Sequence, residues 1–139
     1  NSFDIISLWH VLEHVPNLNE RIIQLKRILK EDGVIIIAVP ICNSFDAKHY
    51  NKYWAAFDVP RHLYHFSQSS FAKLIEKHKL SIKKIIPLLF DSFYISMVSE
   101  KYKSGSSKLI NSLLIGLRSN LSAHFGTKDY SSLIFVIKK

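Results

Sequence analysis

The chain has 139 residues, enough for one domain with a real core, and its 47% hydrophobic and 22% charged composition excludes a disordered polymer. The formal charge is +8, yet no run of basic residues exceeds two, so the lysines describe a solvated surface and no nucleic-acid footprint is expected. Cys42 is the only cysteine, which excludes an internal disulfide and suits a reducing cytoplasm; no apolar run approaches the roughly 18–20 residues of a membrane span. No stretch reads as a secretory signal, and a cytoplasmic location is expected.

Phe3 to Leu8 is a short apolar run with β-branched members and no helical period, and it predicts a buried strand. It ends abruptly in Trp9, His10, Glu13 and His14, as a strand does when its C-terminal end opens onto a site. Asn17 to Lys30 predicts a helix, with Asn17 and Glu20 as a capping pair and Leu18, Ile22, Leu25 and Leu29 on one face. Gly33 suits a left-handed stop after that helix. Val34 to Val39 predicts a second strand, so rich in branched aliphatics that cover on both faces is expected. Strand, helix and strand within about forty residues make a βαβ unit and imply a mainly parallel α/β sheet.

Ile41 to Phe66 is long, aromatic and irregular, which in a compact domain marks a functional connection. Ser67 predicts an N-cap for a helix with Phe71, Leu74, Ile75 and His78 on one face. Ile82 to Leu89 predicts a third strand, marked by Pro87 as an edge or an end. Two amphipathic helices follow, Asp91 to Tyr102 and Ser107 to Leu121, hinged at Lys103 to Ser106. Leu109, Leu113, Leu117 and Leu121 form a stripe suited to a core face or a dimer seam more than to a membrane anchor. Ser131 to Ile137 closes the chain as a last strand.

The stretch from His10 to His14 matches the H-x-x-E-H spacing of inverted zinc peptidases. That chemistry needs one continuous helix to bring both histidines to the metal, and Pro16 leaves no room for it. A strand-end loop lining a cleft is the better reading. Glu13 suits either a site wall or the start of the next helix. The spacing of His62 and His65 without a third ligand points to one structural histidine and one facing a cleft. Asp58 and Arg61 around Pro60 suit a pair that fixes the loop, or substrate contact.

Taken together, Phe3 to Ile6 running into Leu12 to Pro16, then Leu29 to Gly33, then Val34 to Pro40, resemble the second half of a class I S-adenosylmethionine-dependent methyltransferase. The ubiquinone-biosynthesis O-methyltransferase type is the most similar. A second block, Trp54 through Asp58 to Leu63 and on to Phe66 and Ser67, is similar to a subgroup of these enzymes. The resemblance implies a partial Rossmann-like sheet, mainly parallel with an antiparallel last strand, lacking the family's first strands. It treats residues 1–139 as the C-terminal part of one methyltransferase domain, with a helical insertion at about 91–125. It implies S-adenosylmethionine as cofactor, with Trp9, His10 and His14 near it, and a small-molecule acceptor facing Trp54, Arg61 and His62.

In the ubiquinone-type enzymes the corresponding motif is E-x-x-E-H and is associated with magnesium. This chain has His10 in place of the first Glu, and magnesium prefers oxygen ligands. No metal is therefore expected, Glu13 and His14 being the remaining alternative pair. Candidates for a general base are His62, His10 and His14, and the residues do not choose among them. The glycine-rich cofactor loop of the family has no counterpart among Gly33, Gly105, Gly116 and Gly126. The isolated chain is thus expected to be inactive, with an open apolar edge at Phe3 to Leu8 able to pair with another copy. The alternative reading is a non-catalytic α/β module for protein interaction or dimerisation.

Overall fold

A computed structural model of the chain describes residues 2–139. Four strands, β1 (Phe3–Trp9), β2 (Leu29–Pro40), β3 (Ser81–Pro87) and β4 (Ser132–Lys138), form one sheet in the order β1-β2-β4-β3. β1 and β2 are parallel, while β4 runs antiparallel to both β2 and β3. Three strands therefore share a direction and the last one opposes them, as the family resemblance implies. The helices are α1 (Leu18–Ile28), α2 (Phe45–Tyr50), α3 (Gln68–Lys77), α4 (Asp91–Ser104) and α5 (Leu109–Phe125).

The main core lies on one face of the sheet. Leu18, Ile22 and Leu25 of α1 and Phe71 and Ile75 of α3 pack there against Ile35, Ile37 and Val39 of β2 and Leu133, Phe135 and Ile137 of β4. Residues of one parity thus enter the core, as the period of a strand requires. The Phe71 and Phe135 rings stack with centroids 4.1 Å apart. The expected cover on both faces is not found among the described residues: Val34, Ile36, Ile134 and Val136, of the other parity, are only half-buried. β1 likewise turns Ile6 and Leu8 inward and leaves Phe3 52% and Ile5 64% exposed, so it is a half-exposed edge strand and not a buried one.

Two local expectations are corrected. Gly33 is not a helix stop: α1 ends at Ile28, Leu29 is already extended, and Gly33 lies within β2. A Cβ there would stand 2.8 Å from the Leu29 side chain and 3.1 Å from the Asp4 carbonyl, so close approach explains the glycine. Its neighbours Lys30 to Asp32 bulge out of register between the pairs Phe3–Leu29 and Ile5–Val34, and Lys30 reaches back to the Asp4 carboxylate at 2.9 Å. Asn17 does not cap α1 with its side chain; its amide instead donates to Glu20 at 3.2 Å. Ser67, by contrast, caps α3 in a reciprocal box with Ser70.

The connection between β2 and α3 is more ordered than its sequence suggests. It contains α2 and two short 3-10 turns, Asn51–Tyr53 and Ala55–Phe57, and it builds a second core from Ala47, Tyr50, Trp54, Ala56 and Ile95. At its centre is Asp46, fully buried. Its carboxylate accepts from the Trp54 indole at 2.7 Å, from Ser119 of α5 at 2.7 Å and from Ser131 at the start of β4 at 2.6 Å. A buried carboxylate is tolerable only with such donors. Asp46→Ala leaves three buried donors without an acceptor and is expected to cost roughly 3 kcal/mol of folding stability, read as a lowered urea midpoint. An unchanged midpoint would show that Asp46 does not hold this region together.

Candidate active site

The C-terminal ends of β1 and β2 open onto a cleft of about 320 Å³. His10 and Pro40 come from the strand ends, Ala55, Ala56, Asp58, Arg61 and His62 from the connecting loop, and Asp91, Tyr94, Ile95, Val98 and Tyr102 from α4. Ligands of open α/β sheets bind at this edge because the strand-to-helix loops converge there.

His10 is set by its backbone and by two carboxylates. Its φ is +52°, a left-handed conformation uncommon outside glycine, and its N–H donates to the Ala38 carbonyl at 3.1 Å. Its Nε2 lies 2.9 Å from Asp91 and its Nδ1 3.3 Å from Glu13. The hydrogen bonds to Asp91 and then Glu13 outweigh desolvation and raise its pKa to about 9. The ring is therefore an imidazolium at neutral pH, donating from both nitrogens. It places a fixed positive charge on the cleft wall and is not a proton acceptor there.

In the loop that also lines the cleft, Asp58 accepts from Arg61 Nη2 at 2.7 Å and Nε at 3.1 Å, which makes this pair a brace for the loop. The Asp58 backbone is itself left-handed, with φ at 39°. His62 Nδ1 donates to the Ala56 carbonyl at 2.8 Å, since a carbonyl can only accept. His62 Nε2 lies 3.8 Å from Asp58.

A second grouping flanks the cleft. Glu13, within a 3-10 turn over Leu12–His14, is 1% exposed, and its Oε2 has no hydrogen-bond partner among the described residues. His14 Nδ1 donates to the Arg61 carbonyl at 3.0 Å, and the His14 and His62 rings meet edge to face at 4.5 Å. One ligand atom from each of Glu13, His14 and His62 lies within 4.8 Å of the others. The Leu63 N–H donates to the Glu13 carbonyl at 2.8 Å, so backbone as well as side chains fastens this turn to the loop. The 3-10 geometry removes the helix that an inverted zinc peptidase needs.

The residues expected at the site are thus distributed as follows. His10, Arg61 and His62 line the cleft, and His14 stands beside it, joined to His62. Trp9, 51% exposed, lies outside the cleft at the end of the edge strand. Trp54 does not line the cleft: it is 2% exposed and spends its indole N–H on Asp46. His65 is structural, bonded to the Phe57 carbonyl at 2.8 Å. Asp91, Tyr94 and Tyr102 also line the cleft. Nothing local marks them, because α4 reaches the strand ends only through the tertiary fold.

Comparison with known proteins then adds a frame. The family described as Methyltransferase domain matches residues 1–84. No curated protein sequence matches the chain. Among solved structures, the mitomycin 7-O-methyltransferase MmcR is similar at 14% identity and a TM-score of 0.59, with 100% of this chain and 30% of that one covered. The mycolic acid cyclopropane synthase CmaA1, solved with SAH and CTAB, is similar at 12% identity and 0.56, covering 99% and 56%. Coclaurine N-methyltransferase, bound to N-methylheliamine and SAH, gives 14% identity and 0.53, covering 99% and 47%. At these identities the likeness is one of fold, and the chain spans only part of each of these proteins.

The carboxylate cage around His10 has a testable signature. A raised folded-state pKa stabilises the fold fully below the unfolded value near 6.5, and that stabilisation is lost as pH rises through about 9. The His10 ring resonances are expected to titrate near 9 by NMR, and Asp91→Asn to move them down by more than one pH unit. Titration near the ordinary histidine value in the unmodified chain would refute the cage.

Proposed function

The chain belongs to the methyltransferase-domain family, and from that premise we propose that it is the C-terminal part of an S-adenosylmethionine-dependent methyltransferase acting on a small molecule. The observation that carries the reading is the cleft at the strand ends, where β1, the 41–66 connection and α4 converge on His10, Arg61 and His62. Two further features support it. The chain spans 30 to 56% of the three methyltransferase-fold proteins compared above. The second sheet face, with Ile5 exposed and Val34, Ile36, Ile134 and Val136 half-buried, is apolar and awaits cover.

The residues present suit one wall of a cofactor site. Trp9 offers a flat, half-exposed indole at the end of β1, with His10 directly after it and His14 five residues on. When bound, S-adenosylmethionine supplies a methyl group on a positive sulfonium. The chain's own residues then position the acceptor: Arg61 and Asp58 order the loop, Tyr94 and Tyr102 line the α4 side, and His62 offers a proton-accepting Nε2 to an acceptor hydroxyl. His62 is preferred over His10 because His10 carries its proton at neutral pH.

A second reading rests on the unpartnered Glu13 oxygen. Glu13, His14 and His62 together would hold a divalent cation, with both histidines oriented through Nδ1 by backbone carbonyls, as metal-bound imidazoles usually are. Two imidazoles and one carboxylate favour zinc or manganese over magnesium.

The 139-residue chain by itself is expected to show no robust methyl transfer from labelled S-adenosylmethionine; sustained turnover would overturn the assignment as one part of a larger enzyme. The two roles of His62 separate by calorimetry. Tight zinc binding that is lost in both His14→Ala and His62→Ala would establish the cation site. No zinc binding would leave His62 as the acceptor-side base.

A further inference from the structure

α5 is arranged inside out. Its buried side is Ser112, Gly116, Ser119 and Ala123, which recur at helical spacing. Small residues let the helix settle closely on α4: a Cβ on Gly116 would lie 2.7 Å from the Phe93 ring and 3.0 Å from its Cα. The large residues face outward. Leu113, Leu117 and Leu121 are 48% exposed, Leu114 is 58%, and Ile110 and Phe125 reach 75% and 82%. The expected leucine stripe therefore exists but is not a core face. A continuous apolar helix face of this kind marks an interaction surface.

Charge indicates what covers it. Between Glu100 and Asp129 the chain has Lys101, Lys103, Lys108, Arg118 and Lys128 and no acidic residue, and all five are exposed. Two copies meeting through this face would bring like charges together within a protein of net charge +8. An anionic lipid surface complements both features at once: leucines enter the acyl boundary while lysines meet headgroup phosphates. Among the described residues no helix is long and apolar enough to cross a membrane, so the contact is one of lying on the bilayer. We propose that the outward face of α5 docks the protein peripherally on an anionic bilayer. α5 packs on α4, which on other positions lines the cleft with Tyr94, Ile95, Val98 and Tyr102.

The test is flotation of the 139-residue chain with vesicles of phosphatidylglycerol and phosphatidylcholine, against vesicles of phosphatidylcholine alone. Binding is expected only to the anionic vesicles and to weaken with salt. The double variant Leu113→Gln/Leu117→Gln, whose circular dichroism should not change because both sites are exposed, is expected to lower it at least about tenfold. Ile5→Gln, on the open sheet face, is expected to bind as the unmodified chain does. The proposal fails if neutral vesicles bind equally, if the double variant still floats, or if Ile5→Gln loses as much. It also fails if the chain ignores vesicles but forms dimers in sedimentation that the double variant dissolves, which would make this face a contact between copies.

Discussion

A single buried carboxylate organises the half of the molecule that carries the site. Asp46 has no access to solvent, and its two oxygens take hydrogen bonds from the connecting loop, from α5 and from the start of β4. Segments far apart in the chain are thereby held to one point. The energetic logic is asymmetric: the three bonds gain little over hydration, but leaving the charge or its donors unpaired is costly, so the arrangement specifies one path for the loop. Trp54 anchors on Asp46 from the loop side, and the residues that follow it, Ala55 to His62, are delivered to the strand ends.

Delivery alone would leave the loop loosely placed. The Asp58–Arg61 pair, the His62 bond to Ala56 and the Leu63 bond to Glu13 fix it from three directions. At the end of β1, His10 is gripped by Asp91 and Glu13 in a backbone conformation that its own side chain does not favour. The site thus combines an imidazolium held by two carboxylates with two imidazoles oriented by backbone carbonyls. That contrast follows from partners: two carboxylates hold a proton on His10, whereas backbone carbonyls orient the rings of His14 and His62 through Nδ1.

The helical segment after β3 shows how tertiary packing reassigns a pattern. Leucines at helical spacing usually mean burial, and here they face solvent, because small residues on the opposite side allow closer contact with Phe93 of α4. The periodicity of α5 was readable, but its orientation was not, since both faces lack charge at their centres.

What the sequence determined by itself was the local grammar. The apolar runs placed β1, β2 and β4, the period of α1 and α3 placed their buried faces, and Ser67 marked a cap, because these depend on neighbours within a few residues. The family resemblance lies in the same near-neighbour signals around Leu12 to Pro16 and Asp58 to Phe66. Only the tertiary structure decided that Gly33 sits inside a strand, that Trp54 is buried on Asp46, and that His62 arrives beside Glu13 and His14 while Asp91 arrives beside His10. Those contacts join residues 8 to 81 positions apart, and no period or spacing along the chain encodes a distance that only the folded path creates.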